Sequence, residues 1–127
     1  MECVYVYIDK NDRTVKYVGR AKSPSRMAAR IADHKRDAWY KTGDWEIRYA
    51  GVDCRAASEA LETELINIYS PQFNKDKKGW GRIGVETGDI FKDFVILPEW
   101  AKGNLWAFGQ IVEERAEWSS VTKWVKA

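Results

Sequence analysis

Seven polar residues of this 127-residue chain are placed where a small fold built only for packing would not demand them. Tyr5 lies in an apolar run, and Tyr17 closes a second one just before Gly19-Arg20. Arg26, Arg30 and His34 follow at four-residue intervals, which on a helix places them on one side. Glu62 sits between the apolar positions Leu61 and Leu65, and Asn74 follows the end of that segment. Two phenols, a guanidinium, an imidazole and a carboxylate around one pocket suit phosphodiester cleavage. A carboxylate can bind Mg²⁺, a guanidinium neutralises the phosphate oxygens that gain charge, and a phenol can orient or deprotonate the attacking water. Taken singly, each residue also fits a bland role: a packing tyrosine, a solvated helix face, a surface glutamate.

The elements that must position these residues can be read from pattern. Cys3 to Ile8 and Thr14 to Val18 are apolar, β-branched and aromatic, and the turn-rich Asp9 to Arg13 between them predicts a β-hairpin. Ser23-Pro24 is an N-cap followed by proline at the first helical position, and Met27, Ile31 and Ala38 recur before Gly43, so a helix is expected over about 24–41. Trp45 to Val52 reads as a third strand. Asp53 is placed to cap a second helix over about 55–69, with Ala57, Leu61, Leu65 and Ile68 on one stripe and Pro71 blocking continuation. The expected class is α+β, a small three-stranded antiparallel sheet flanked by helices, followed by a C-terminal extension. In that extension Ile90 to Leu97 is a candidate strand stopped by Pro98, and Leu105, Phe108, Ile111 and Val112 suit a helix capped by Asn104.

Charge is unevenly distributed. The net charge is only +2, yet residues 10–41 hold ten Lys or Arg against three Asp, while the chain from Gly81 onward balances to −1. A basic stretch in a nearly neutral protein is the footprint of a local phosphate-binding surface. Lys16, Arg20, Lys22 and Arg26 are its candidate substrate contacts, joined by Lys75, Lys77 and Lys78 beside Trp80. Two cysteines and one histidine, with no CxxC, are too few for a zinc site. The longest charge-free runs, Leu65 to Asn74 and Gly103 to Val112, are about half the ~20 residues of a membrane span. Charges interrupt the N-terminus before any signal-peptide apolar run, so a cytoplasmic protein is expected.

The motif residues, taken in order, resemble the GIY-YIG nuclease family. Cys3-Val4-Tyr5 is similar to its Gly-Ile-Tyr motif and Tyr17-Val18-Gly19 to its Tyr-Ile-Gly motif. Arg30 with His34, Ala60-Leu61-Glu62 with Leu65-Ile66, and Pro71-Gln72-Phe73-Asn74 match its later signatures, so the likeness covers about residues 2–78. It implies a nuclease core over 1–80 and says nothing of residues 81–127, whose own composition reads as a tryptophan-rich extension that packs on the core, contacts substrate or self-associates into a homodimer. It further implies hydrolysis of DNA, RNA remaining open as substrate, with one Mg²⁺ or Mn²⁺ held by Glu62. The catalytic set would be Tyr5 as general base or water-orienting group, Tyr17 as its partner, and Arg30 as phosphate clamp. His34 would accept or tune the phenol's proton, and Asn74 would brace the site. Arg30 and Lys16 would stabilise a phenolate. Arg26 stands as rival to Arg30, and Glu64 to Glu62, although a two-residue step turns Glu64 about 200° around the helix. By analogy with the family's short members the chain would be a phage or mobile-element enzyme, acting in the host cytoplasm if phage-encoded. The alternative is a nucleic-acid-binding or inhibitory module that keeps the fold without turnover.

Overall fold

A run of six consecutive fully buried residues, Cys3 to Ile8, forms the spine of the structure, a computed structural model that describes residues 1–74 and 94–115. Such a run needs cover on both faces of its strand. The chain supplies it in the order β1 (Glu2–Asp9), β2 (Val15–Ala21), α1 (Pro24–His34), α2 (Ala38–Lys41), β3 (Trp45–Val52), α3 (Arg55–Tyr69), β4 (Val95–Ile96), α4 (Glu99–Gly103) and α5 (Leu105–Arg115). The strands make one antiparallel sheet in the order β2-β1-β3-β4. Side-chain alternation sends Tyr5 and Tyr7 to one face, where they pack with Ile47 and Tyr49 under Met27 and Ile31 of α1 and Phe108 and Val112 of α5. Val4, Val6 and Ile8 face the other way, with Val18 and Val52 against Leu61, Leu65 and Ile66 of α3.

The hairpin forms as expected. Arg13 adopts the left-handed conformation (φ 61°) with its N–H on the Asp9 carbonyl at 2.8 Å, and Asp12 Oδ1 accepts from the Thr14 hydroxyl at 2.6 Å. Ser23 caps α1 by accepting from the Arg26 N–H, ahead of Pro24. Three expectations need correction. The helix expected over 24–41 stops at His34, because Lys35, Arg36 and Asp37 donate to the carbonyls three residues back and tighten the chain into a turn before α2. Cys54 rather than Asp53 occupies the N-cap of α3, and its side chain makes no capping bond. The sheet has four strands instead of three: the candidate strand ahead of Pro98 joins it as β4, pairing with β3 through Arg48↔Ile96 and Tyr49↔Val95. The start of the strand expected over 90–97 lies outside the described residues.

The described part of the extension closes over α1. Asn104 precedes α5 as expected, its Oδ1 accepting from the Ala107 N–H at 3.4 Å. Gly109 permits the close crossing, since a Cβ there would stand 3.1 Å from Ala28 Cβ and 3.2 Å from Ser25 Cα. Glu113 places its carboxylate at the first turn of α1, accepting from the Ser25 N–H at 3.0 Å, where the helix dipole favours a negative charge. Of the extension's tryptophans expected to pack on the core, the two described ones stay largely outside it: Trp100 is 54% exposed and meets Phe108 edge-on, Trp106 is 76% exposed, and Leu97, Ala101, Leu105, Phe108 and Val112 fill the interface. Trp80, Trp118 and Trp124 lie outside the described residues.

Candidate active site

β2 is an edge strand, with α1 over one face of the sheet and α3 over the other, so its outer flank opens between two helices. Tyr5 of β1 reaches this flank from behind. It pairs with Gly19 in the antiparallel register, and its phenol lies so close over the glycine that a Cβ there would meet Tyr5 Cζ at 2.3 Å and Oη at 2.5 Å. Only glycine leaves that space. The Tyr5 hydroxyl then stands 3.1 Å from Nε2 of His34, the last residue of α1. The other imidazole nitrogen, Nδ1, is 2.9 Å from Asp37 Oδ2. Tyr17 packs edge-on against the imidazole with ring centres 4.6 Å apart. Nothing in residue spacing singles out Asp37, whose only signal is its place three residues after the one histidine of the chain.

Outside this cluster, Trp39 is stacked between Tyr17 (5.4 Å, 16°) and Phe73 (5.3 Å, 11°). The three rings, with His34, Asp37 and Thr42, line an open pocket of about 660 Å³. Tyr5 has no solvent exposure, whereas Tyr17 is half-buried and lines that pocket.

The charge environment alters what the phenols can do. Burial drives the Tyr5 hydroxyl well above the ordinary phenol range, the neighbouring Tyr17 and Tyr7 phenols add to it, and the Arg30 cation offsets only part. Tyr17 is also raised, again chiefly by burial; a hydrogen-bonding contact with Tyr5 and the Arg30 charge pull the other way, and the Glu62 and Asp37 carboxylates push it up. Both shifts run against a phenolate at neutral pH, and of the two cations expected to stabilise one, Arg30 acts on both phenols while the Lys16 ammonium pairs with Asp12 at 3.4 Å. Of the rival arginines, it is Arg30 whose charge reaches both phenols. Of the rival glutamates, Glu62 is buried (8% exposed) and felt at Tyr17, while Glu64 is exposed and lines a separate surface with Ala60 and Asn67.

The remaining expected residues divide. Asn74 is buried and clamps the open flank of β2: its Oδ1 accepts from the Val18 N–H at 2.9 Å and its Nδ2 donates to the Val18 carbonyl at 2.8 Å. Beside it, the Phe73 N–H bonds to the Lys16 carbonyl. Arg20 is not a free phosphate contact, since its guanidinium is held by Glu2 at 3.1 Å and Glu59 at 3.5 Å, with Nε 3.9 Å from Glu62 Oε1. Lys22 and Arg26 are exposed, have no ion-pair partner among the described residues, and line with Arg30 and Asp33 a cleft of about 450 Å³ along α1. Lys75, Lys77, Lys78 and Trp80 lie outside the described residues. No group of three or more His, Cys, Asp or Glu among the described residues could hold a metal. Mg²⁺ asks for less, one or two carboxylates with its own waters and a substrate phosphate. Glu62 meets that minimum as an oxygen donor, although the Arg20 guanidinium, 3.9 Å away, competes with a cation for its charge. Among the described residues no helix is long and apolar enough to cross a membrane. Comparison with protein-family models, curated proteins and solved structures finds no match to the chain.

Proposed function

We propose that the chain is a divalent-metal-dependent endonuclease that hydrolyses DNA phosphodiester bonds, with the chemistry of the GIY-YIG family that its motifs resemble. The observation that carries this reading is the hydrogen-bonded line from Tyr5 through His34 to Asp37, with the Tyr17 ring packed against the imidazole at the edge of β2 and the charges of Arg30 and Glu62 within range. The cleft along α1 supports it, because Lys22, Arg26 and Arg30 provide a row of cations on which a phosphate backbone can lie.

In this mechanism Arg30 neutralises the non-bridging oxygens of the scissile phosphate, and Glu62 is the residue that would hold Mg²⁺ or Mn²⁺. When bound, the ion supplies Lewis-acid stabilisation of charge on the phosphate. Raised phenols make poor resting bases and good relays. The attacking water gives a proton to the Tyr17 oxygen, Tyr17 passes its own to Tyr5, and Tyr5 passes its own to the bare Nε2 of His34. Each phenol loses one proton and gains one, so no phenolate has to accumulate in a buried site. The water oxygen bonds to phosphorus as the bond to the 3′-oxygen breaks, and that oxygen is protonated from solvent. In this reading Tyr5, expected at the attacking water, acts one step back because it is wholly buried, and the half-buried Tyr17 meets the water.

Arg20 beside Glu62 favours a second reading, a DNA- or RNA-binding module without turnover, because a guanidinium already neutralises the carboxylate that a metal needs. One experiment separates the two. Supercoiled plasmid and a single-stranded RNA are incubated with the protein in Mg²⁺ and in EDTA, alongside Glu62→Gln. Plasmid nicking that needs the metal and falls at least ~10²-fold in the variant, with gel-shift binding retained, is expected for the nuclease. Binding of folded protein with no cleavage under any condition overturns that reading in favour of the binding module.

A further inference from the structure

We infer that Asp37 is a positioning residue that sets the tautomer of His34, an inference that rests on the nuclease reading for its consequence but not for its geometry. Asp37 occupies the N-cap of α2, a position where an aspartate ordinarily turns its carboxylate onto the helix's first N–H groups. Here it makes no capping bond. The carboxylate turns back instead, and its Oδ2 lies 2.9 Å from His34 Nδ1. The backbone between the two residues is held in that geometry by the tight bonds of the turn, with the Asp37 N–H on the His34 carbonyl at 2.9 Å.

The chemical consequence follows from donor and acceptor count. An ionised carboxylate only accepts, so Nδ1 must carry the proton, and a neutral imidazole then presents Nε2 bare. Bare Nε2 faces the Tyr5 hydroxyl at 3.1 Å, and Tyr5, wholly buried, donates to it. The rings around the imidazole are Tyr7 at 5.6 Å, Tyr17 at 4.6 Å and Trp39 at 5.5 Å. These walls fix where the ring sits but are indifferent to which nitrogen bears the proton. Among the groups that touch His34, the Asp37 carboxylate makes that choice, and the opposite tautomer would present a donor to Tyr5 and leave the relay with no proton acceptor.

His34 is the only histidine, so long-range ¹H–¹⁵N correlation on uniformly labelled protein reads its tautomer without assignment ambiguity. Measured with the imidazole neutral, the parent is expected to carry its proton on Nδ1. Asp37→Asn, whose amide can donate to Nδ1, should move the proton to Nε2 and lower plasmid nicking about 10²-fold, with the melting temperature little changed because the carboxylate caps no helix. A parent protonated on Nε2, or an Asp37→Asn protein with unchanged tautomer and unchanged nicking, overturns the inference. A tautomer that shifts without any loss of nicking overturns the positioning role. If neither protein nicks DNA while the tautomers behave as stated, Asp37 still orients His34 and it is the nuclease reading that fails. The parent spectrum alone decides the matter should the variant not fold.

Discussion

Replacing Gly19 by alanine tests the geometry on which the whole site depends, without reference to activity. The added Cβ would stand 2.3 Å from Tyr5 Cζ, 2.5 Å from Oη and 2.7 Å from Cε2, all well inside the 3.4 Å at which ordinary contact begins. β2 is held to β1 by its ladder and to Asn74 on its outer side, so the phenol rather than the strand must move. Movement of that size breaks the 3.1 Å contact with His34. Overpacking a close-packed core costs about 1–3 kcal/mol, and a lost buried hydrogen bond about 1 kcal/mol more. The sum of about 2–4 kcal/mol corresponds to a fall in melting temperature of roughly 10 °C for a domain of this size, read by circular dichroism. The control is a cycle with Tyr5→Leu, which removes Cζ and Oη. In that background Gly19→Ala should cost at least ~1 kcal/mol less. A Gly19→Ala protein that melts with the parent, or two substitutions whose costs simply add, would refute the close approach as the reason for glycine at this position.

Two further predictions concern the frame of the site. Asn74→Ala removes both bonds to the Val18 backbone and should lower the unfolding free energy by about 2 kcal/mol, seen as a lower denaturant midpoint at unchanged m-value; an unchanged midpoint would mean that the clamp contributes nothing to β2. Burial alone would raise Glu46, but hydrogen bonds from Arg13 (3.2 Å) and Arg48 (2.8 Å) outweigh it and hold the carboxyl below its ordinary range. A folded-state value below the unfolded one, about 4.3, gives stability that is present above it and lost as pH falls through the folded value. Glu46→Gln should therefore be about 1 kcal/mol less stable than the parent near neutral pH, with the gap closing in acid; a gap that stays constant with pH would exclude this ion pair as its source.

Most of the local structure was legible because it depends on neighbours in sequence. The Ser23-Pro24 start of α1, the 55–69 span of α3 and the β1–β2 hairpin follow from caps, periodicity and turn chemistry. Arg26 and Arg30 share one side of α1, so only the four-residue step to His34 favoured Arg30, whereas Glu62 was separable from Glu64 by helical phase. The end of α1 was misjudged because Asp37 and Trp39 continue a tolerable helical pattern, and what stops the helix is the turn that returns Asp37 to His34 and sends Trp39 between Tyr17 and Phe73.

By itself, then, the sequence determined an α+β chain whose hairpin and two helices carry two tyrosines, an arginine, a histidine and a glutamate in an order that suits phosphodiester chemistry. Tertiary structure decided how those groups behave. It buried Tyr5 under Gly19 and so kept its proton on, gave His34 a carboxylate partner, and locked Arg20 among Glu2, Glu59 and Glu62 rather than leaving it for phosphate. It also paired the candidate strand ahead of Pro98 with β3, making it the fourth strand of the sheet. Burial and charge pairing are set by atoms that distant segments bring within a few ångströms, and no local pattern in the sequence encodes them.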